Sequence, residues 1–446
     1  MLSLTILMVS GFTPVAARAS TDGTQAPSKE VVVPVYYLTD RNQVGDTYGT
    51  QRKYVSNCKH DMYYGTAFVP VANKELETED DKFKRLGWAT ADRASKWPYK
   101  KTRIESENPA ECKKQFFDLL ANALDKTGKD ELCVFVHGAD DAFEDAITDA
   151  ANLAYYIERP VVMYSWPATA KMMGYMIDGQ NNEYSQEHFD MFLRDLLVFR
   201  EHHPIKVIMI SHSMGNRLVV RSAPVLSGTG LLKDVELVSP DIDEETFKHY
   251  AMHLDLRRAQ SRLRLYVSYR DKMLPLSQML YGGYYRLGEG VGSLTNRSLL
   301  SVIHPELATK LGAEMPAVKI TATATSESSA PSSNNAGASA SNIMDNLSPE
   351  QREFILKAVH EKIEAINFTS LDTGFSGHSI PFKLLANMLD HDSPQAGYTL
   401  VPTKAGNGSK LAKYFSRRIK PKHSPDKTAH AEMSIWEKVV KVDAKK

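Results

Sequence analysis

The segment ISHSMGNR (residues 210–217) places Ser213 where a nucleophilic serine would lie. It follows the apolar run IKVIMI and precedes a segment with helical spacing, so the serine falls between a buried strand and a helix. A sharp turn in that context exposes a serine hydroxyl for attack on a carbonyl carbon, and the usual pattern for it is G-x-S-x-G. Gly215 matches the second glycine, whereas Ser211 replaces the first. The alternative interpretation is that Ser213 is an ordinary N-cap of the following helix.

A second segment, FVHGADDAF (135–143), contains the groups that would bind a developing oxyanion. It ends one predicted strand and opens the next helix, and an H-G pair at such a position supplies a backbone N–H to the oxyanion. The candidate donors are the N–H groups of Ala139 and Asp140, together with the N–H of Met214 at the start of the helix after the serine. We expect His137 to hold this loop by hydrogen bonds and not to act as a base.

A serine nucleophile requires a histidine base and a carboxylate that orients it. In enzymes that use a strand-turn-helix serine, the chain order is serine, acid, histidine. Asp271 comes directly after the predicted strand LRLYVSY, and His378 follows the predicted strand INFTSL. Asp241 in SPDID is the rival acid, and its alternative role is the N-cap of the next helix.

The loop 168–185, directly after the sequence SWP, is placed to line an acyl-binding pocket. The candidate pocket residues are Trp166, Met172, Met173 and Tyr175. Methionine adapts to irregular apolar ligands, which suits an acyl chain. The alternative is that these side chains only pack beneath the loop.

Elements that alternate between strand and helix must position these residues. Strands are predicted at 31–40, 65–71, 131–138, 160–166, 205–211, 234–240, 263–269 and 366–371, and helices at 111–127, 143–157, 185–201, 214–225, 243–258 and 347–366. The strands after residue 131 are continuous apolar runs, which is typical of a mostly parallel sheet that helices cover on both faces. Because the carboxyl ends of parallel strands share one edge, we expect Ser213, Asp271 and His378 to meet there.

Composition and the lack of familiar ligand motifs reduce the classes of partner that the chain is expected to bind. The chain has 446 residues, with 54 basic and 54 acidic side chains and a formal net charge of zero. Nucleic-acid binding depends on an excess of positive charge, so no nucleic-acid partner is expected. The sequence contains no zinc-ligand spacing, P-loop or dinucleotide glycine fingerprint, so no metal or cofactor is predicted. The expected partner is a small-molecule or lipid-like acyl substrate.

Segments outside the catalytic core are also predicted. Residues 1–19 resemble a signal peptide, with a short apolar run that ends near an A-x-A cleavage site. A single domain is expected over 31–400, interrupted by a flexible Ser/Ala/Thr-rich insertion at 321–346, and 404–446 form a lysine-rich tail. No later run is long and apolar enough to cross a membrane.

The predicted signal peptide determines which cellular location is expected, and the location determines whether cysteines are expected to form disulfides. A secreted or periplasmic protein is expected, and a cytoplasmic one is the alternative. In an oxidising compartment, Cys58 and Cys112 would be able to form a disulfide. Cys133 lies in the predicted strand ELCVFV and is expected to be buried.

Taken in order, these motifs resemble a bacterial α/β-hydrolase family catalogued as domain of unknown function 900, which is esterase- or lipase-like. That family has H-G-[YF]-N-x-x-F, S-W-P, [AS]-H-S-M-G-N, P-D-[VI]-D, S-x-x-D-x-A-L-x-x-S and G-H-S. The chain has HGADDAF, SWP, SHSMGN, SPDID, SYRDKMLPLS and SGHS in the same order.

The resemblance implies an α/β-hydrolase fold in which Ser213 is the nucleophile, Asp271 the acid and His378 the base. It also implies an oxyanion hole formed by Met214 and the 138–140 loop. Ala139 and Asp140 stand where the family has an aromatic residue and an asparagine, which changes the side chains around the oxyanion site.

Two functions fit the sequence. The first is a serine hydrolase that cleaves an ester, thioester or amide bond through an acyl-enzyme. The second is a binding or scaffold protein without catalytic activity on the same fold, because a fold by itself does not confer an activity.

Overall fold

The computed structural model describes residues 30–53, 62–73, 99–106, 108–171, 174–254, 261–268, 270–289, 363–369 and 377–392, and three short strands nearer the C-terminus. The predicted signal peptide (1–19) and the insertion (321–346) lie outside the described residues, and so do Cys58, Met172 and Met173. The thiol of Cys112 lies 3.7 Å from the carbonyl oxygen of Ile104. Its pairing with Cys58 remains a prediction.

The strands are β1 (Glu30–Thr39), β2 (Arg41–Val44), β3 (Thr47–Arg52), β4 (Tyr63–Ala72), β5 (Lys100–Arg103), β6 (Glu131–Val136), β7 (Val161–Ser165), β8 (Lys206–His212), β9 (Leu232–Val238), β10 (Arg262–Val267), β11 (Ile363–Asn367), β12 (Tyr398–Pro402), β13 (Ser416–Pro421) and β14 (Glu437–Val439). The helices are α1 (Pro109–Thr127), α2 (Phe143–Ile157), α3 (Tyr175–His202), α4 (Gly215–Arg221), α5 (Ala223–Leu226), α6 (Glu244–Ala251), α7 (Met273–Leu280) and α8 (Phe382–His391).

One large sheet organises the described residues, in the order β12-β14-β13-β11-β10-β9-β8-β6-β7-β1-β4-β5. The pairs from β1 through β7, β6, β8, β9, β10 and β11 to β13 are parallel, whereas β4 and β5 add an antiparallel edge. The central strands are buried on both faces, as in β6, where Leu132 to Val136 have no exposed surface. That burial explains why these strands are continuous apolar runs.

Helices cover both faces of this sheet. The core on one face includes Phe116 of α1, Phe192 of α3, Leu218 of α4 and Phe247 of α6. The core on the other face includes Ile147 of α2 and Leu385 of α8. The predicted architecture, a mostly parallel sheet between two layers of helices, is therefore confirmed.

Helix α3 begins at Tyr175, whereas the sequence predicted a loop until residue 185. The buried side chains of its first turns are polar, so they lack the apolar spacing from which helices are predicted. Asn181 donates to the carbonyl of Pro167 at 2.6 Å, and Ser185 donates to Asp40 at 2.7 Å. Hydrogen bonds to neighbouring elements thus take the place of an apolar face.

Strand β11 begins at Ile363, although a helix was predicted through residue 366. Ile363 pairs with Leu263 and Ile366 with Tyr266 in parallel register with β10. All five residues of β11 are buried, so pairing in the sheet overrides the local helical pattern.

Two of the short strands come from the segment predicted as a lysine-rich tail. β13 pairs in parallel with β11, and β14 pairs with β13, which extends the sheet at this edge. Among the described residues, no helix combines the length and the apolar character needed to cross a bilayer.

Candidate active site

Ser213 occupies a strained turn between β8 and α4. Its φ of +51° lies in the left-handed region, which costs a residue other than glycine about 1–3 kcal/mol. The Ser213 N–H donates to the carbonyl of Val238 at 3.0 Å. The Ser213 carbonyl accepts from the N–H of Asp241 at 3.1 Å and from the Asn216 side chain at 2.8 Å. The N-cap of α4 is Met214, so Ser213 does not have the capping role of the alternative interpretation.

Close packing behind the turn explains the small residues around it. A Cβ at Gly215 would lie 2.3 Å from the carbonyl oxygen of His137, so only glycine fits there. Ser211, which replaces the usual first glycine, is fully buried, and its hydroxyl donates to the side-chain oxygen of Asn216 at 2.8 Å. The turn therefore accommodates a serine at this position because the hydroxyl has a partner.

The loop after β6 lies directly against this turn. A Cβ on Gly138 would lie 3.0 Å from the Cβ of Ser213. The backbone N–H groups of Met214 and Ala139 form no hydrogen bond with any described residue. Both predicted donors are thus available to an oxyanion.

Asp140, the other predicted donor of this loop, is already engaged. Its N–H donates to the Asp178 carboxylate at 3.0 Å, and Asp178 also accepts from the N–H of Thr169 at 2.7 Å. An N–H that donates to a carboxylate is not free to bind an oxyanion, so the prediction for Asp140 is corrected in favour of Ala139. Burial, and then the charges of Asp141 and Asp178, raise the pKa of the Asp140 carboxyl to about 6.

His137 supports the oxyanion loop from behind. Its side chain is fully buried, and its Nε2 lies 3.2 Å from the guanidinium of Arg41. A guanidinium only donates, so Nε2 accepts, and the proton on Nδ1 is donated to the carbonyl of Gly138 at 2.8 Å. His137 therefore holds the loop, as predicted.

Trp166 does not line a pocket, contrary to the prediction. It has no exposed surface, its ring is stacked on His137 with centroids 5.2 Å apart, and its indole N–H donates to the His137 carbonyl at 2.9 Å. Burial of a large aromatic side chain needs a partner for its polar N–H, and the backbone of the oxyanion loop provides one. Trp166 therefore fixes that loop in place.

Arg41 is a site residue that the sequence analysis missed. It is fully buried, and its guanidinium donates to Ser165 Oγ at 2.9 Å and to the carbonyls of Ala168 and Asp141 at 3.2 and 2.8 Å. Burial lowers the pKa of Arg41 to about 10 against the opposing effect of neighbouring carboxylates, which leaves it charged at neutral pH. A charged residue directly after a strand is typical of an exposed surface loop. The local sequence therefore gave no indication that Arg41 is buried.

The predicted base and acid are in contact. Nδ1 of His378 lies 2.5 Å from Oδ2 of Asp271. The other oxygen of Asp271 accepts the backbone N–H groups of Met273 and Leu274 at 2.9 and 3.1 Å, at the start of α7. The helix terminus thus orients the carboxylate, and the carboxylate holds the His378 proton on Nδ1. With the proton held on Nδ1, Nε2 is the basic nitrogen of the ring.

The charge of Asp271 also tunes the base. Burial alone lowers the pKa of His378, but the charge and hydrogen bond of Asp271, with smaller effects from Asp241 and Asp141, outweigh burial and raise the pKa above its ordinary value. The charged form of the His378 ring is therefore stabilised relative to the neutral form.

Gly377 brings the loop that carries His378, here called the base loop, onto the loop that carries Asp271. Its φ is +66°, and a Cβ there would lie 2.5 Å from the backbone carbonyl of Arg270. Arg270 directly precedes Asp271, so the close approach that glycine permits sets the separation of the two loops.

Asp241, the rival acid, has other partners. Its carboxylate accepts from Arg217 at 2.9 Å, from Ser277 at 2.6 Å and from the Tyr175 hydroxyl, and Arg286 lies 3.4 Å away. These groups use both carboxylate oxygens. The Tyr175 hydroxyl joins this buried network while its side chain is partly exposed, and its role in lining an acyl pocket stays a prediction.

The Ser213 hydroxyl forms no hydrogen bond with any described residue, so the structure joins base to acid but not base to nucleophile. Catalytic hydrogen bonds of this kind are often long before a substrate binds. The Ser213 turn and the base loop are nevertheless adjacent, because the ring centroids of His212 and His378 lie 4.8 Å apart.

A cavity of about 1060 Å³ lies elsewhere, between α1 and the C-terminal half of α3. Tyr64, Phe117 and Phe199 line it, and none of the candidate site residues does. This cavity is therefore separate from the candidate active site.

A comparison with curated proteins gave no match. Residues 113–301 match the family described as alpha/beta hydrolase of unknown function (DUF900). The matched span contains the Ser213 turn, the oxyanion loop and Asp271, and it ends before His378. The match over residues 113–301 supports the resemblance of the motifs to this α/β-hydrolase family.

Proposed function

We propose that this protein is a serine hydrolase that cleaves an ester, thioester or amide bond in a small or lipid-like acyl substrate. The observation that carries the proposal is the left-handed turn at Ser213, adjacent to a loop whose His378 is hydrogen-bonded to Asp271. Strain of this kind is retained where surrounding structure enforces it, and it is concentrated at functional sites. The match of residues 113–301 to an α/β-hydrolase family supports hydrolytic chemistry.

In the acylation step, Nε2 of His378 takes the proton of Ser213 Oγ while that oxygen attacks the carbonyl carbon of the substrate. The carbonyl electrons move onto oxygen, and the N–H groups of Met214 and Ala139 donate to the resulting oxyanion. The bond to the leaving group then breaks, and His378 returns its proton to that alcohol, thiol or amine.

In the deacylation step, water attacks the acyl-enzyme and gives a proton to His378. The ester bond to Ser213 breaks, the serine oxygen recovers the proton, and a carboxylic acid is released. Asp271 remains ionised throughout, because its role is to orient the imidazole and stabilise the imidazolium.

A fluorophosphonate probe tests the proposal, because it reacts with an activated serine and adds a fixed mass. We expect one adduct on the full-length protein and none on Ser213→Ala. Ser227→Ala, which removes an exposed serine from the end of α5, is the matched control and should be labelled like the wild type. A folded wild type that takes no label, or label that persists in Ser213→Ala, would contradict the proposal.

The same variant separates the enzyme from a scaffold protein. A hydrolase loses its function in the cell when Ser213 becomes alanine, whereas a scaffold keeps it. Complementation of a deletion strain by Ser213→Ala as complete as that by the wild type would favour the scaffold.

A further inference from the structure

His212, the last residue of β8, connects the nucleophile turn to the base loop. It directly precedes Ser213, and its Nε2 lies 2.6 Å from the backbone carbonyl oxygen of His378. The two imidazole rings are in contact, with centroids 4.8 Å apart and planes inclined by 51°. The residue next to the candidate nucleophile therefore touches the backbone of the candidate base.

The partner of His212 fixes its tautomer. A carbonyl oxygen only accepts hydrogen bonds, so Nε2 of His212 carries the proton and donates it. The other ring nitrogen of His212 lies next to the oxyanion loop, since a Cβ on Gly138 would lie 3.1 Å from Nδ1. One imidazole thus lies between the nucleophile turn, the oxyanion loop and the base loop.

Burial keeps the His212 ring neutral near neutral pH. Burial, and then the nearby charge of His378, lower its pKa to about 4, although Asp141 and Asp271 act in the opposite direction. The pKa of His378 is raised by Asp271, Asp241 and Asp141. His212 therefore stays neutral near neutral pH, so its hydrogen bond to the His378 carbonyl does not depend on the protonation state of His378.

We propose that His212 is a positioning residue, whose Nε2–H holds the backbone of His378 at a fixed place beside Ser213. The inference rests on the proposed hydrolase function and adds to it a residue that acts through the base. His212 makes no bond to substrate in this scheme. Its contribution is geometric, because a displacement of a catalytic group by about 1 Å costs up to about 100-fold in rate.

Two substitutions separate the hydrogen bond from the bulk of the ring. His212→Phe keeps a planar ring without a donor, whereas His212→Gln keeps an N–H donor at a similar reach. With p-nitrophenyl acetate as substrate, we expect His212→Phe to lower kcat by up to about 100-fold and to leave KM within about twofold. His212→Gln should recover kcat to within about threefold of the wild type. A thermal melt of each variant checks that it is folded.

Proton NMR gives a readout that does not depend on turnover. The Nδ1 proton of His378, held by Asp271, should give a low-field resonance in the wild type and in His212→Gln. We expect this resonance to broaden or disappear in His212→Phe. If the wild type is not labelled by a fluorophosphonate, the hydrolase proposal fails, and the resonance still tests the placement of His378 by His212.

Three results would overturn the role of His212. The first is an unchanged kcat together with an unchanged His378 resonance in His212→Phe. The second is an equal loss in both variants with equally lowered melting temperatures, which would assign His212 to packing alone. The third is an increase of KM at constant kcat, which would assign it to substrate binding.

Discussion

Two carboxylate–imidazole pairs among the described residues have a hydrogen bond between the two groups, and only one of them belongs to the candidate active site. Asp271 and His378 form the first, and Asp40 and His188 form the second, with Nδ1 of His188 2.9 Å from the carboxylate. Both acids directly follow or closely follow strands of the same sheet, and both imidazoles use Nδ1. The contact between the two groups therefore does not distinguish a catalytic base from a structural histidine.

The surroundings of the two carboxylates differ. One oxygen of Asp271 is kept for His378, and the other accepts two backbone N–H groups. One oxygen of Asp40 accepts from three side chains at once, namely Tyr164, Ser185 and His188, and those groups join β1, β7 and α3. Asp40 is thus a connection between elements, whereas Asp271 is a partner dedicated to one histidine.

His188 and His378 also lie in different kinds of element. His188 lies in the middle of the long helix α3 and packs edge-on against Tyr184, with centroids 5.1 Å apart. His378 lies on a loop beside a strained serine. The comparison teaches that a nucleophile turn and free oxyanion donors, in addition to a charge pair, define this candidate site.

The largest expected difference between the pairs is in turnover. Asp271→Asn removes the charge that stabilises the His378 imidazolium, so we expect kcat with p-nitrophenyl acetate to fall by about 10⁴-fold. Asp40→Asn should keep kcat within about tenfold of the wild type, because its pair takes no part in proton transfer. Equal losses in the two variants would remove the distinction between the pairs.

Stability should respond in the opposite sense. Asp40→Asn replaces an acceptor of three buried hydrogen bonds, so we expect the free energy of unfolding to fall by about 1–3 kcal/mol. Asp271→Asn should cost less, since an amide oxygen can still accept from the start of α7. Urea unfolding of both variants measures the difference, and a more stable Asp40→Asn variant would contradict the assigned role of Asp40.

The pH dependence should belong to one pair only. His378 must be neutral to act as a base, so kcat/KM should fall about tenfold per pH unit as the pH drops below the raised pKa of His378. Asp271→Asn should move that midpoint to lower pH, since the charge that raises the pKa is lost. His188→Asn, which keeps a donor to Asp40, should leave the midpoint where it is.

A neighbouring carboxyl needs a control in that experiment. Burial, and then the charge of Asp271, raise the pKa of Glu289 to about 7, so Glu289 contributes its own titration near neutrality. Glu289→Gln should retain the acidic limb of the kcat/KM profile. Loss of that limb in Glu289→Gln would assign it to Glu289 and not to His378.

The smallest expected effect concerns the rival acid. Ser277→Ala removes one hydrogen bond to Asp241, so we expect a loss of about 1 kcal/mol in stability with kcat within about twofold. Chemical denaturation and the p-nitrophenyl acetate assay check both values. A large fall in kcat without loss of stability would show that Asp241 serves the reaction and would weaken the assignment of Asp271.

The sequence was sufficient for the features that local pattern encodes. The apolar strands, the order of Ser213, Asp271 and His378 along the chain, and the small residues at the turn could all be predicted from one segment at a time. The parallel sheet then brings the ends of β8, β10 and β11 to one edge, so the neighbourhood of the three residues followed from topology.

Contacts between distant segments could not be predicted in this way. The choice between Asp271 and Asp241 depends on which carboxylate the arginines occupy, and Arg217 and Arg286 carry no signal of that pairing in their own segments. The engagement of Asp140 by Asp178 is similar, because Asp178 lies in a stretch whose polar, buried side chains concealed the start of α3. Arg41 was missed because its hydrogen-bond partners, Ser165, Ala168 and Asp141, lie in distant segments of the chain.

The stacking of Trp166 on His137 has a practical consequence. The buried indole of Trp166 stacks on His137 at the back of the oxyanion loop, so we expect its fluorescence to respond to movements of that loop. The proposed acyl-enzyme would place a new group against the same loop, so we expect emission from Trp166 to change on acylation whatever the acyl group is. A collection of unlabelled esters, thioesters and amides can then be screened by intrinsic fluorescence, with Trp166→Phe as the blank, before the natural substrate is known.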